Sequence, residues 1–180
     1  KYFSGIIALE NKDNSAALDF FNSSKSLINK HDPFLRRYVY SLALEDKIIQ
    51  AINVVKNNKF QNNSNFFDAY LLLIIDSLKN NNFEKTNIYL QKASSVTELD
   101  RFNVAILDSI KQYIYVFEEK KILDNKKNLG KLSVISETFQ RCYLGDSETD
   151  KYFLSLISDN ETDYTRYIYF YLDYLIENNR

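Results

Sequence analysis

Apolar residues recur along this chain at spacings of three and four, in stretches separated by short polar clusters. That is the period of a helix with one buried face. The pattern predicts helices over about 2–11 and 14–28, 33–45 and 47–58, and 65–80 and 83–95. A long helix follows over about 98–118, with Phe102, Ile106, Ile110, Tyr113, Ile114 and Phe117 on its apolar side. The charged stretch Ile122 to Lys131 reads as a poor second helix, and a further pair is expected at about 132–144 and 147–158, split by Gly145-Asp146. A last helix covers about 163–178. Asp32-Pro33 is a start signal, with Asp as N-cap and Pro at the first helical position. The polar stretch Lys59 to Ser64 reads as an exposed linker.

A repeat is superposed on this pattern. The segments Gly5 to Ser24, Val39 to Asn58 and Ile74 to Ala93 align, placing Ala17, Ala51 and Thr86 at spacings of 34 and 35. Four residues later stand Phe21, Val55 and Leu90, and seven later Ser24, Asn58 and Ala93. A polar turn precedes each second helix: Asn11-Lys12-Asp13, Glu45-Asp46-Lys47 and Asn80-Asn81-Asn82. A small residue on the inner side of a helix lets a neighbour approach closely. The period is one helix hairpin, and it predicts an all-α protein built as an α-solenoid.

These residues also carry a family likeness. Tyr2-Phe3-Ser4-Gly5-Ile6-Ile7-Ala8-Leu9, followed by Ala16-Ala17-Leu18-Asp19-Phe20-Phe21, resembles a tetratricopeptide repeat (TPR). Asp76-Ser77-Leu78-Lys79-Asn80-Asn81-Asn82-Phe83 is similar to the close of a third first-helix in a group of bacterial TPR proteins. The likeness is degenerate: the Trp, most Gly residues and the terminal Pro of the motif are missing, and the one Pro, Pro33, opens the second unit. It implies a single right-handed solenoid over 1–180, with units at about 1–30, 31–63, 64–96, 97–131 and 132–160 and a half unit at 161–180. The chain starts without Met inside an amphipathic pattern and ends on a helix, so it reads as an excerpt of a longer protein. The resemblance is compatible with a cytoplasmic or an exported parent.

Composition narrows the function classes. Three Gly leave no glycine-rich phosphate loop. With 23 Lys and Arg against 24 acids, the net charge of −1 lacks the basic excess of a general nucleic-acid binder. The longest apolar run, Ala69 to Ile75, is far shorter than the roughly 20 residues of a membrane span. The single His, His31, reads as a solvated loop residue, and the single Cys, Cys142, as a buried inert thiol. Asp146-Ser147-Glu148-Thr149-Asp150 and Asp159-Asn160-Glu161-Thr162-Asp163 lack the Gly and Glu of a calcium loop and read as helix caps through Ser147 and Thr162. Lys120, Lys121, Lys126, Lys127 and Lys131 read as a solvated face. The rings Tyr164, Tyr167, Tyr169, Phe170, Tyr171 and Tyr174 cannot all share one buried stripe, so some should be bare.

No set of acid, base and nucleophile converges, and the expectation is a non-enzymatic scaffold without metal or cofactor that binds a protein or peptide. The resemblance implies an inner groove lined by first helices, with Arg36, Tyr40, Asp68 and Lys79, and in the last helix Arg166, Tyr169 and Asp173, as partner-binding positions. The motif's carboxylate-gripping positions hold Tyr2, Arg36 and Leu71, then Ile6, Tyr40 and Ile75, without the Asn of that clamp. The alternatives are a structural self-association module, acting through the C-terminal helix, and a helical appendage of an enzyme or export system.

Overall fold

The computed structural model describes residues 1–58, 66–96, 100–158 and 165–179. The linker 59–64, the acidic segment 159–163 and Tyr164 lie outside the described residues. Among those described, every regular element is helical. The helices are α1 (Tyr2–Glu10), α2 (Asn14–Asn22), α3 (Asp32–Leu44), α4 (Ile48–Asn57), α5 (Phe67–Lys79) and α6 (Phe83–Ser94). Then come α7 (Arg101–Glu119), α8 (Lys131–Leu144), α9 (Thr149–Ile157) and α10 (Tyr167–Glu177), with a 3-10 turn at Lys25–Leu27. They fall into two compact units, Lys1–Asp100 and Arg101–Arg180.

In the first unit each helix packs on the next, and α1 also touches α3 as α3 touches α5. The core is built from Leu18, Phe21, Phe34, Leu35, Tyr38, Val39, Leu42 and Val55. Phe34 meets Phe21 edge to face at 5.8 Å and stacks on Tyr38 at the same distance. The repeat positions Ala17, Ala51 and Thr86 are each fully buried. At the third of these the contact is polar: the Thr86 and Ser77 hydroxyls lie 2.8 Å apart. Gly5 serves the first hairpin, because a Cβ there would stand 2.6 Å from Cε1 of Phe21.

The polar turns share one backbone pattern. Asp13 N–H donates to the Ala8 carbonyl and Lys12 N–H to that of Leu9; Lys47 pairs with Leu42 and Asp46 with Ala43; Asn82 pairs with Ser77 and Asn81 with Leu78. Asp146 to Arg141 and Gly145 to Cys142 repeat it between α8 and α9. This crossed pair of bonds closes a helix on a left-handed residue. Here that residue is Lys12 (φ 62°), Asp46 (φ 55°), Asn81 (φ 53°) and Gly145 (φ 64°). After the first three of these the next residue is the N-cap of the second helix, and Asp13 and Asn82 accept there from the N–H groups of Ala16 and Lys85.

Four expectations need correction. The helix expected over 14–28 stops at Asn22, where the Ser23 and Ser24 hydroxyls donate to the Asp19 and Phe20 carbonyls, and the chain tightens into the 3-10 turn. His31 rather than Asp32 occupies the N-cap position of α3. Glu148, not Ser147, occupies the N-cap position of α9, without a side-chain cap; Asp146 holds the turn before it, its carboxylate accepting from Glu148 N–H and its carbonyl from the Thr149 hydroxyl. The stretch 122–130 is not helical. It runs as a strap fastened by Lys126 to Glu137 at 2.6 Å and by Lys127 to Asp108 at 2.7 Å, with Lys126 only 19% exposed. A lysine run was therefore legible as charge but not as an anchor, because both acids lie on other helices.

In the second unit α7 packs on α8, α8 on α9 and α9 on α10. Leu107, Ile114, Val116, Phe153 and Leu156 are buried together with Ser109, Gln112, Ser136, Thr138, Gln140 and Thr149. Ser109 and Ser136 join α7 to α8 at 2.8 Å, whereas the fully buried Gln140 amide has no hydrogen-bond partner.

Two stability predictions follow from this geometry. A non-Gly residue in the left-handed region costs about 1–2 kcal/mol. Replacing Lys12 by Gly should therefore raise stability by about 0.5–1 kcal/mol, and Gly145→Ala should lower it by about 1 kcal/mol through backbone strain alone. Urea unfolding of the two variants tests the opposite signs. Gly5→Ala gains about 1 kcal/mol of helix propensity but must displace the Phe21 ring, at about 1–3 kcal/mol. Net destabilisation of about 1 kcal/mol is expected, and a rise in the urea midpoint would show that the hairpin can open to admit the methyl.

Candidate functional site

The left-handed turn residues give a register for comparing the first helices. Six residues before each turn residue stand Ile6, Tyr40 and Ile75; ten before stand Tyr2, Arg36 and Leu71. Tyr40 is 52% and Ile75 49% exposed, while Ile6 is half-buried. Helix α1 touches α3 and α3 touches α5, so these equivalent positions lie on first helices in successive contact. Arg36 and Tyr40 are one turn apart on α3, and spacings of seven and four keep Asp68, Ile75 and Lys79 on one side of α5.

Of the expected partner-binding residues, the structure brings Arg36 and Asp68 together, while Tyr40 shares a helix side with Arg36 and Lys79 one with Asp68. Arg36 Nε stands 3.8 Å from Asp68 Oδ2, and its guanidinium lies over the Phe66 ring at 5.8 Å. Both charges are more than half exposed, so the pair contributes little to stability. Its effect is to hold Arg36 across the α3–α5 seam. Ile75 and the exposed Leu44 join this face although they were not among the expected site residues. For Ile75 the signal was already in the sequence, in the motif position it shares with Ile6 and Tyr40; Leu44 follows Tyr40 by one turn.

Arg166, Tyr169 and Asp173 belong to the second unit and share one side of α10, all three exposed. The opposite side of α10 packs: Tyr167 and Phe170 meet Phe139 at 5.7 and 5.2 Å, and Tyr171 and Tyr174 stack on Phe153 at 5.1 and 6.2 Å. The Tyr171 hydroxyl donates to Asp150 Oδ1 at 3.1 Å. The described aromatic rings accordingly divide, with Tyr169 left bare as the spacing required.

Other chemistry-bearing groups have structural surroundings. His31 is exposed and set edge-on to the Tyr2 ring at 5.3 Å. Burial pushes the half-buried Cys142 thiol up, away from the reactive thiolate. Among the described residues no group of three His, Cys, Asp or Glu side chains is placed to hold a metal ion, and no helix is long and apolar enough to cross a membrane. A cleft of about 220 Å³ in the first unit is lined by Lys56, Tyr70, Tyr89 and Lys92, but Lys56 is bonded to Asp76 at 2.6 Å. Burial pushes the Tyr70 hydroxyl up.

The densest charge network surrounds Glu137. It accepts from Lys126 at 2.6 Å and from Arg141 at 2.7 and 3.0 Å, while Arg141 also reaches Asp146 at 2.9 Å and lies over the Tyr152 ring at 4.3 Å. Burial alone would push the Glu137 carboxyl up, but the bonds from Lys126 and Arg141 outweigh it and hold it below the usual range. A carboxyl depressed in the folded state contributes stability above its unfolded pKa of about 4.3 and loses it as pH falls through the folded value. Glu137→Gln should cost about 1–3 kcal/mol at pH 7 by taking the acid from Lys126 and one of the acids from Arg141. That difference should shrink below pH 4; urea unfolding of both proteins at pH 7 and below pH 4 checks the slope, and a constant difference would place the contribution in packing.

Comparison with known proteins leaves the chain to be read from its own geometry: no family model, no curated protein and no solved structure matches it.

Proposed function

We propose that the first unit is a TPR-like array whose first-helix face docks a protein segment, without catalysis. The observation that carries this reading is the row Ile6, Tyr40 and Ile75. Half-exposed or exposed apolar side chains recur at the same register on three helices in contact. Isolated exposed apolar residues are ordinary, but a contiguous row rimmed by charge marks an interaction surface. Arg36, Asp68 and Lys79 supply that rim with both signs.

The chemistry of the face favours a segment that presents apolar side chains over one that presents carboxylates. A carboxylate needs several aligned donors to replace its water. Arg36 is the only such donor among the positions ten and six before the turns, and it is already directed at Asp68. A Tyr and a branched aliphatic residue instead offer contact area at low entropic cost. The array geometry supports the reading as well, since first helices touching in succession are what a stack of hairpins produces.

A phage-displayed peptide library panned against the full chain tests this. Enriched peptides should carry apolar or aromatic anchors, bind with micromolar affinity in calorimetry, and lose at least tenfold on combining Tyr40→Asp with Ile75→Asp. Both positions are about half exposed, so that variant should keep its urea midpoint within roughly 1 kcal/mol. Acidic chaperone-tail peptides should not bind. Micromolar binding of such tails, lost on Arg36→Ala, or enriched peptides indifferent to the Tyr40 and Ile75 changes, would overturn the reading.

A further inference from the structure

Helix α10 is apolar on two opposite sides. Tyr167, Tyr171 and Tyr174 face the Phe139 and Phe153 rings. At about 100° per residue, Tyr169, Leu172 and Ile176 fall on the far side. They are 72%, 47% and 72% exposed, and no residue of α10 is buried. A surface helix covered by its own fold on one stripe has no need of a second, and spacings of three and four make this second stripe a helix-pairing seam.

The charges beside the stripe say which partner fits. Arg166 stands at the start of α10, and Asp173 and Glu177 in its later turns, all on one flank of the stripe and all exposed. A second α10 laid antiparallel about Leu172 brings Arg166 of one copy within a turn of Glu177 of the other; the two-fold makes that pairing twice, against a single like-charge approach of Asp173 to its own copy beside the axis. It also places Tyr169 across from Ile176 and sets opposite helix dipole ends side by side. A parallel two-fold arrangement would carry the two charged flanks to opposite sides of the seam and leave Arg166 and Glu177 unpaired. We propose that α10 is an isologous self-association seam, closing antiparallel on a second copy of this chain through Tyr169, Leu172 and Ile176. The inference stands on the second unit alone and is independent of the docking face on α1, α3 and α5.

Three large side chains per copy, each worth at most about 200 Å², place the interface at the small end of specific contacts. The dimer should therefore be weak and dissociate on dilution. Sedimentation equilibrium of the full chain from about 5 to 500 µM should show average mass rising from monomer toward dimer, with a midpoint in the upper part of that range. Combining Tyr169→Asp with Ile176→Asp should leave a monomer throughout. Arg166→Glu alone should weaken association about tenfold, because the symmetry counts each like-charge contact twice. Adding Glu177→Arg to it should restore the original midpoint. The charge swap lies on exposed positions and keeps the test decisive even if the double Asp variant unfolds. A strict monomer over the whole range, or a dimer untouched by the Asp variant, or a swap that fails to restore association, would overturn the proposal.

Discussion

The first unit and the α8–α9 pair depend on one local constraint, a helix end closed by crossed hydrogen bonds on a residue of positive φ. Lys12, Asp46, Asn81 and Gly145 hold that conformation, and in each case the second helix begins within a few residues. With so short a connection the two helices have no choice but to lie antiparallel and close. Close approach then decides what the crossing can hold: no side chain at Gly5, a methyl at Ala17 and Ala51, and a hydroxyl pair at Thr86 and Ser77. Gly145 takes the left-handed conformation freely, Asn81 and Asp46 are of the types that tolerate it, and Lys12 resists it. The backbone geometry is set by packing on either side of the turn, and the turn residue absorbs the strain.

The two units reach stability by different means. The first buries a continuous apolar set with Phe21, Phe34 and Tyr38 at its centre. Among its described residues the second carries six buried polar residues against five buried apolar ones and is joined by hydroxyls and charges. The Tyr113 hydroxyl is pushed up to about 12, because burial outweighs its bond to Ser136. Gln140, buried with neither amide atom bonded, costs the unit about 1–3 kcal/mol of desolvation. The strap at 122–130 offsets part of this by tying α7 and α8 together through Lys127 and Lys126.

The hairpins leave a set of apolar side chains in water. A hairpin buries the sides of its helices that meet each other and their neighbours, and the remaining side of a first helix is free to vary. That side carries Tyr40 and Ile75 in the first unit, and a comparable bare stripe runs along α10 in the second. The two faces have different electrostatics. Arg36 and Asp68 neutralise one another across a seam, whereas Arg166 and Glu177 stand exposed at opposite ends of one helix.

The helical class, the hairpin period and the buried crossings at Ala17, Ala51 and Thr86 were legible in the amino-acid order, because local periodicity and short polar turns depend on neighbours a few residues away. The grouping of Arg36 and Tyr40 was legible for the same reason, since one turn separates them. Other features arose only in three dimensions. Lys126 and Lys127 are indistinguishable from solvated lysines until Glu137 and Asp108 are brought to them from separate helices. The stop at Asn22 rests on serine hydroxyls competing for helix carbonyls, which the apolar period does not register. Whether an apolar stripe on α10 is core or surface is likewise silent in sequence: both of its sides are hydrophobic, and tertiary packing alone selects the one that meets Phe139 and Phe153.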